Sequence, residues 1–180
     1  MRKELSKEIE IPEGVEVSVN GNEISVKGKE GTSKKKFEIR EVVLEKKGNK
    51  IIIGNKNSTK REKKMINTLA AHITNMVKGV QEKFEYKLKV CFNHFPVTVQ
   101  LGEGEVIIKN FLGEKTPRKA KIPSGAEVKI EKEIITVKSF DKEIAGQAAA
   151  NLEKATNIRL RDRRTFQDGI FITKKCGKEI

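Results

Sequence analysis

The chain has 180 residues, of which 36% are hydrophobic and 35% are charged, and 38 Lys and Arg against 25 Asp and Glu give a formal net charge of +13. This composition is too apolar for a disordered chain, and two cysteines with two histidines are too few for a disulfide framework and do not predict a zinc site. No apolar run predicts a signal peptide or a membrane span, so we expect a cytosolic protein.

The first half of the chain predicts several strands followed by a helix. Apolar and polar residues alternate on both sides of a Gly-containing turn over residues 15–26, which is typical of a hairpin. Thr59 and Glu62 have capping-box spacing, apolar residues then recur at helical spacing, and the pattern predicts a helix over residues 59–78. The other strands predicted in this half cover residues 6–12, 36–45 and 49–54.

The second half repeats this order. Residues 97–108 predict a second hairpin, and a helix is expected over residues 141–156, with Asp141 at its N-terminal end and a narrow face rich in alanine. Small side chains on that face imply close docking on a sheet. The other predicted strands cover residues 86–92, 126–131, 134–138 and 168–173, and the last of them ends near Lys174 and Lys175.

The two halves indicate an internal duplication. A shift of 82 residues superimposes the two hairpins and also aligns Thr74 with Thr156 at the ends of the two helices. We therefore predict an α+β protein of two similar duplicated domains, residues 1–82 and 83–180, each a small, mostly antiparallel sheet packed against one helix. A second match, between residues 11–17 and 122–128, has a shift of 111 and is interpreted as two hairpins that begin with similar turns.

No catalytic motif is found. Phosphate-binding glycine loops, a nucleophile elbow and a metalloprotease helix are all missing, and the carboxylates show no catalytic spacing. The basic excess is instead spread evenly, with 18 basic and 12 acidic residues in 1–82 (+6) and 20 and 13 in 83–180 (+7). Such an excess usually reports a polyanionic partner, and the alternative is the solvated Lys/Glu surface of a heat-stable protein.

Two strand-connecting segments with clustered basic residues are candidate phosphate contacts. The run Gly31–Lys36 joins two predicted strands, so its lysines are expected on an exposed loop, and residues 113–121 are the equivalent loop of the second repeat. Ordinary solvated loops are the alternative for each. The candidate residues here are Lys34, Lys35, Lys36, Lys115, Thr116, Arg118, Lys119 and Lys121.

The strongest signal lies near the C-terminus, where residues 159–164 hold four arginines. A guanidinium binds phosphate through two parallel hydrogen bonds and stacks on bases. Phe166 is either a stacking platform or a core or strand-entry aromatic residue. Asp162 is expected to align a neighbouring Arg. Asp168, followed by Gly169, is predicted to lie in a turn before the last strand. The candidate contacts here are Arg159, Arg161, Arg163, Arg164, Lys174 and Lys175.

A third candidate region is the aromatic turn at residues 92–96, which comes after a strand that alternates apolar and basic residues. His94 and Asn93 either contact RNA or form a packing corner between the repeats. The sequence favours neither alternative.

The chain resembles the family of large-subunit ribosomal protein six (the L-six family) in its archaeal and eukaryotic form, over essentially its whole length. The likeness rests on four stretches, of which the last is the most specific: Ile11-Pro12-Glu13-Gly14-Val15, Tyr86 to Val90 running into His94-Phe95-Pro96, Asn110 to Lys115, and Arg161-Asp162-Arg163-Arg164-Thr165-Phe166-Gln167-Asp168-Gly169-Ile170-Phe171.

The resemblance implies a non-enzymatic structural component of the large ribosomal subunit. It implies two similar α+β domains that bind and brace large-subunit rRNA, mainly through the second domain, without cofactor or metal. It also implies a place near the sarcin–ricin loop and the stalk base, beside neighbouring large-subunit proteins and within reach of translation factors, as a single copy in the cytoplasmic ribosome.

Two other functional classes remain open from the residues. One is a free-standing RNA- or DNA-binding module, which co-sedimentation with large subunits would distinguish. The other is a small enzyme on a duplicated scaffold, against which the missing catalytic motifs argue.

Overall fold

The computed structural model describes residues 3–37 and 42–180, with Lys3 described in its backbone only. These residues divide between Lys83 and Phe84 into two units, each with its own buried apolar core. In each unit one α-helix packs on antiparallel strands, so the predicted α+β class is confirmed.

The first unit places its described strands in two three-stranded antiparallel sheets, ordered β1-β6-β5 and β2-β3-β4. Its helix packs on strands of both sheets, and the core lies between them. The elements are β1 (Lys3–Glu10), β2 (Glu16–Asn20), β3 (Glu23–Gly28), β4 (Gly31–Lys36), β5 (Val43–Lys47), β6 (Lys50–Ser58) and α1 (Lys60–Gln81).

Helix α1 begins at the predicted capping box. The Thr59 backbone N–H donates to the Glu62 carboxylate at 2.7 Å, and the Thr59 hydroxyl accepts from the Arg61 N–H. The apolar stripe with helical spacing faces the core, as predicted. The helix continues three residues beyond the predicted end at 78, because Gly79 keeps helical geometry and the helix ends only at the extended residue Glu82.

The second unit contains a three-stranded sheet, β8-β9-β10, and a five-stranded antiparallel sheet, β11-β12-β7-β13-β14. A short 3-10 helix (Phe111–Gly113) precedes β10. The elements are β7 (Phe84–Cys91), β8 (Thr98–Leu101), β9 (Glu105–Lys109), β10 (Arg118–Lys121), β11 (Glu127–Glu131), β12 (Ile134–Ser139), α2 (Lys142–Ala155), β13 (Gly169–Lys175) and β14 (Lys178–Glu179).

The small residues of α2 allow the close docking that the sequence predicted. Ala145, Ala148 and Ala149 are buried, and a Cβ added at Gly146 would lie 3.3 Å from the Tyr86 hydroxyl of β7. Asp141 caps the helix by accepting from the Glu143 N–H at 2.8 Å.

The structure shows the duplication directly. The strands β2 and β8, the strands β3 and β9, and the helices α1 and α2 begin 82 residues apart, and β5-β6-β1 has the same strand order as β11-β12-β7. The match at a shift of 111 is also explained. Val15 N–H donates to Pro12 O and Ala126 N–H to Pro123 O, each across a glycine with positive φ, before the hairpins β2–β3 and β11–β12.

Two predictions about strand-connecting segments are wrong. Lys34, Lys35 and Lys36 belong to strand β4 instead of a loop, and residues 118–121 of the second basic segment form strand β10. The predicted strand at 36–45 is not continuous, since β4 ends at its first residue and β5 begins only at Val43. Residues 38–41 of that prediction lie outside the described residues.

Candidate nucleic-acid interface

The arginine-rich segment forms an ordered loop between α2 and β13. Asp162 organises it, because its backbone carbonyl accepts from the N–H groups of Thr165 and Phe166 at 3.2 and 3.0 Å. Its carboxylate accepts from the Arg164 N–H at 2.9 Å, so it fixes the backbone of this turn and not, as predicted, an arginine side chain. Side chains of all four arginines are exposed, namely Arg159, Arg161, Arg163 and Arg164.

Aromatic stacking holds part of this loop. The rings of His94 and Phe166 lie with centroids 4.7 Å apart and planes inclined by 21°, and the Arg161 guanidinium carbon lies 4.8 Å from the Phe166 centroid. Phe166 is therefore stacked on protein groups. A guanidinium over an aromatic ring can still donate its N–H groups in hydrogen bonds.

A buried carboxylate joins the loop to the end of β7. Asp168 accepts from the backbone N–H groups of Asn93 and His94 at 2.7 and 3.1 Å, and its other oxygen lies 2.6 Å from His94 Nδ1. Because a carboxylate only accepts hydrogen bonds, Nδ1 carries the proton of this contact. Burial raises the pKa of Asp168, but the backbone hydrogen bonds from Asn93 and His94, together with the His94 side chain, outweigh burial, so the pKa lies below its ordinary value.

Asp168 is the residue that sequence reasoning missed. The sequence assigned it to a turn, yet it is only 1% exposed and holds the turn at residues 92–96 against the arginine loop. The contacts of Asn93 and His94 with Asp168 are packing within the second unit, and an RNA contact by these two residues stays a prediction. His94 remains partly exposed, with 31% of its side chain accessible.

Arg118 is engaged by the protein itself. Its Nε and Nη2 donate to the Glu114 carboxylate at 2.8 and 2.6 Å, and Nη1 donates to the carbonyls of Ala155 and Asn157 at 3.0 and 3.2 Å. The hydrogen bond from Arg118 is the main cause that lowers the pKa of Glu114. The guanidinium also lies 4.4 Å from the Phe111 centroid, so Arg118 positions the end of α2 beside the loop.

The remaining predicted contacts of the second unit lie in the loop before β10, on β10 and at the end of β13. Lys115 and Thr116 are exposed in the loop before β10, and Lys119 and Lys121 project from the exposed face of β10, with Lys119 Nζ 3.2 Å from Glu105. Lys174 and Lys175 end β13, roughly 20 Å along the strand from the arginine loop.

The lysines of β4 alternate between the two faces of their strand. Lys34 and Lys36 are exposed, whereas Lys35 lies on the helix side, with its Nζ 3.4 Å from His72 Nδ1. The three candidate residues of the first unit therefore do not form one basic cluster.

Comparison with known proteins agrees with this division into two units. The sequence pattern of the family described as "Ribosomal protein L6" matches residues 11–83 and 95–169, one match in each unit. The chain belongs to the ribosomal protein L6 family. The second match includes the 92–96 turn from Phe95 onwards and the whole arginine loop, and it ends before Lys174 and Lys175.

Relatives from archaea extend the likeness over nearly the full length of the chain. Proteins named "Large ribosomal subunit protein uL6" are 45% identical over 95% of this chain and 96% of their own in Methanobrevibacter smithii, and 43% identical over 98% and 97% in Methanococcus vannielii. One from Staphylothermus marinus is 44% identical over 93% of both chains. L6 proteins are structural, non-enzymatic components of the ribosome, and this chain is one of them.

The structure adds two findings about other kinds of site. Among residues 3–37 and 42–180, no three His, Cys, Asp or Glu side chains are grouped closely enough to share a metal ion. Neither described helix is long and apolar enough to cross a bilayer.

Proposed function

We propose that this L6 protein binds and braces large-subunit rRNA, mainly through its second repeat (residues 83–180), and thereby supports translation. The arginine loop carries the proposal, because four exposed guanidinium groups lie on one short segment within a chain of net charge +13. The relatives' name, "Large ribosomal subunit protein uL6", agrees with this partner.

Contacts within the protein hold the loop in this conformation, which favours binding. Asp162 fixes its turn and Asp168 ties it to the 92–96 turn, so less conformational entropy is lost when phosphates are bound. Arginine forks suit this task, since each offers two parallel donors to a phosphate. Lys115, Thr116, Lys119, Lys121, Lys174, Lys175 and the exposed His94 edge are secondary candidates in the same unit.

The finer placement rests on the family resemblance. We propose a position near the factor-binding region, by the sarcin–ricin loop and the base of the stalk, where the protein contacts neighbouring large-subunit proteins and lies close to translation factors only transiently. It acts there as a single copy, in the cytoplasmic ribosome. Cross-linking of assembled large subunits tests this placement, and cross-links confined to a distant region of the rRNA would exclude it.

The salt dependence of rRNA binding tests the proposal. Affinity for large-subunit rRNA freed of protein is measured across a salt series for the wild type and for the triple variant Arg161→Ala, Arg163→Ala, Arg164→Ala. Each lost phosphate contact lowers the slope of log affinity against log salt by about 0.7 to 0.9, so we expect a decrease of roughly two to three.

A charge-matched control separates contacts from net charge. Lys60, Lys63 and Lys64 are exposed on α1, and their change to Ala removes the same three charges from the first unit. We expect the slope of this control to remain close to that of the wild type, with both variants folded by circular dichroism. An unchanged slope for the arginine variant, or equal decreases in both, contradicts the assignment.

A further inference from the structure

A cavity of about 970 Å³ lies within the second unit, between the end of β7, the C-terminal end of α2 and the arginine loop. Three aromatic side chains line it, those of Phe92, Phe166 and Phe171. Phe92 and Phe171 are 42% and 43% exposed, so both present apolar ring surface to solvent. Exposed rings grouped in a cavity of this size are typical of a binding site. Apolar surface is unfavourable in water, so a group of exposed rings usually marks a place where a partner binds.

Polar groups of the same cavity match a nucleotide. Arg163 lines it, and its guanidinium is held in place by a hydrogen bond to the Asn157 side chain. Gln167 and Lys154 also line it, whereas the carboxylate of Asp168 is occupied by the N–H groups of the 92–96 turn. The walls therefore combine flat aromatic surface with amide groups and cations, although the acid Glu153 lies at the same wall.

The duplication supplies an internal comparison. The helices begin 82 residues apart, so the end of α2 at Ala155 corresponds to Ile73, and α1 continues for a further eight residues to Gln81. A smaller cavity of about 420 Å³ lies at the corresponding end of the first unit, between β1 and the last turns of α1. Aliphatic residues such as Ile9 and Val77 line it, and it contains no aromatic side chain and no arginine.

We propose that the larger cavity binds an unpaired nucleobase of the bound RNA, which stacks on Phe92 or Phe171 while Arg163 contacts its phosphate. This inference rests on the proposed function. Base stacking on an aromatic side chain is the usual way in which proteins hold unstacked RNA bases, and a guanidinium beside the ring binds the backbone of the same nucleotide. An apolar protein side chain would use the rings but not the cations and amides beside them.

Replacement of the rings tests the stacking. We expect Phe92→Leu and Phe171→Leu each to weaken binding to protein-free large-subunit rRNA between about five- and a hundredfold. The salt slope should stay at the wild-type value, because no phosphate contact is removed. Phe95→Leu is the matched control, since Phe95 lies in the same turn, is 47% exposed and does not line the cavity. Its affinity should change less than about twofold.

A fluorescent reporter tests where the base lies. The chain has no Trp, so Phe92→Trp introduces a single indole into the cavity wall and Phe95→Trp a single indole outside it. We expect protein-free rRNA and an adenosine hexaribonucleotide to quench the indole at 92 and not the one at 95. An abasic hexamer of equal length, which carries the phosphates without bases, should leave both unchanged.

The outcomes separate this inference from the proposed function. If rRNA binding persists both in the arginine variant and at high salt, the proposed function is contradicted. A normal salt slope with wild-type affinity in Phe92→Leu and Phe171→Leu overturns only the nucleobase site, as does quenching by the abasic hexamer. Quenching by assembled large subunits but not by protein-free rRNA would assign the cavity to a protein side chain and overturn the proposal as well.

Discussion

A single buried carboxylate, that of Asp168, fixes the geometry of the candidate interface. Its three hydrogen bonds reach Asn93 and His94, residues 75 and 74 positions earlier in the chain. His94 in turn stacks on Phe166, and Phe166 supports Arg161. The position of an exposed arginine therefore depends on an acid that is itself only 1% exposed.

Removal of this charge should destabilise the second unit. In Asp168→Asn the amide oxygen still accepts from the backbone N–H groups of Asn93 and His94, but the amide N–H₂ then faces the N–H of His94 Nδ1, so two donors meet without an acceptor. We expect a loss of about 1–3 kcal/mol in the free energy of unfolding, measured with urea. Asp162→Asn is the control, since its carboxylate lies in an exposed turn and makes one backbone hydrogen bond. A smaller loss for Asp168→Asn than for the control contradicts this role.

The same carboxylate predicts a pH dependence. Its pKa is lower in the folded protein than in the unfolded chain, so the unfolded state takes up a proton first as the pH falls. The stability that Asp168 contributes is complete above its unfolded pKa of about 4 and is lost as the pH falls through the folded value. Urea unfolding is measured between pH 7 and pH 2.5. The difference in the free energy of unfolding between wild type and Asp168→Asn should narrow only below about pH 4. A constant gap over that range contradicts the charged state.

The turn between β3 and β4 closes the C-terminal end of α1. Glu30 N–H donates to the Val80 carbonyl at 2.9 Å, and Lys83 Nζ lies 3.7 Å from the Glu30 carboxylate. Gly28 makes this approach possible, because a Cβ there would lie 2.8 Å from the Val80 side chain and 2.9 Å from its carbonyl oxygen. The absence of a side chain at Gly28 allows strand and helix to meet.

Addition of a methyl group at this contact should therefore be costly. We expect Gly28→Ala to destabilise the first unit by about 1–3 kcal/mol. The Val80 side chain and carbonyl oxygen belong to a buried helix end and cannot move away from the added methyl group freely. Gly102→Ala in the second unit is the control, since its nearest atoms lie at 3.4 Å or beyond and its φ is not positive. Thermal unfolding of both variants checks this, and equal shifts in melting temperature would falsify the steric explanation.

Regular repetition of apolar residues explains which elements could be predicted from the sequence. In the hairpins and in most other strands apolar residues recur with a period of two, and in both helices they recur with a period of 3.6 residues. Strand β4 was missed because its alternation involves Lys34 and Lys36 on one face and Ser33 and Lys35 on the other, so the pattern contains no apolar residue. The arginine loop was identified from composition, whereas the role of Asp168 depends on a contact across 75 residues that no local pattern encodes.

The two repeats share a scaffold and differ in the segment after the helix. Both contain a three-stranded sheet in the same order, but the second unit pairs β13 with the other edge of β7 and inserts the arginine loop before it. The first unit extends its helix by two turns instead. Since the net charges of the halves are nearly equal, at +6 and +7, charge alone does not decide which repeat binds RNA. The arrangement of that charge on an ordered loop distinguishes them.

A pair of charge-matched variants tests this division of labour. Lys34→Gln with Lys36→Gln removes two exposed charges from the first unit, and Arg159→Gln with Arg164→Gln removes two from the loop of the second. We expect the arginine pair to lower the salt slope of rRNA binding by about 1.5 and the lysine pair by less than about 0.5, because the proposed function assigns the phosphate contacts to the loop and not to β4. Both pairs lie on exposed positions, so the fold should be retained. A larger decrease for the lysine pair would assign the main contact to β4, and equal decreases would mean that the duplicated scaffold binds RNA through both of its units.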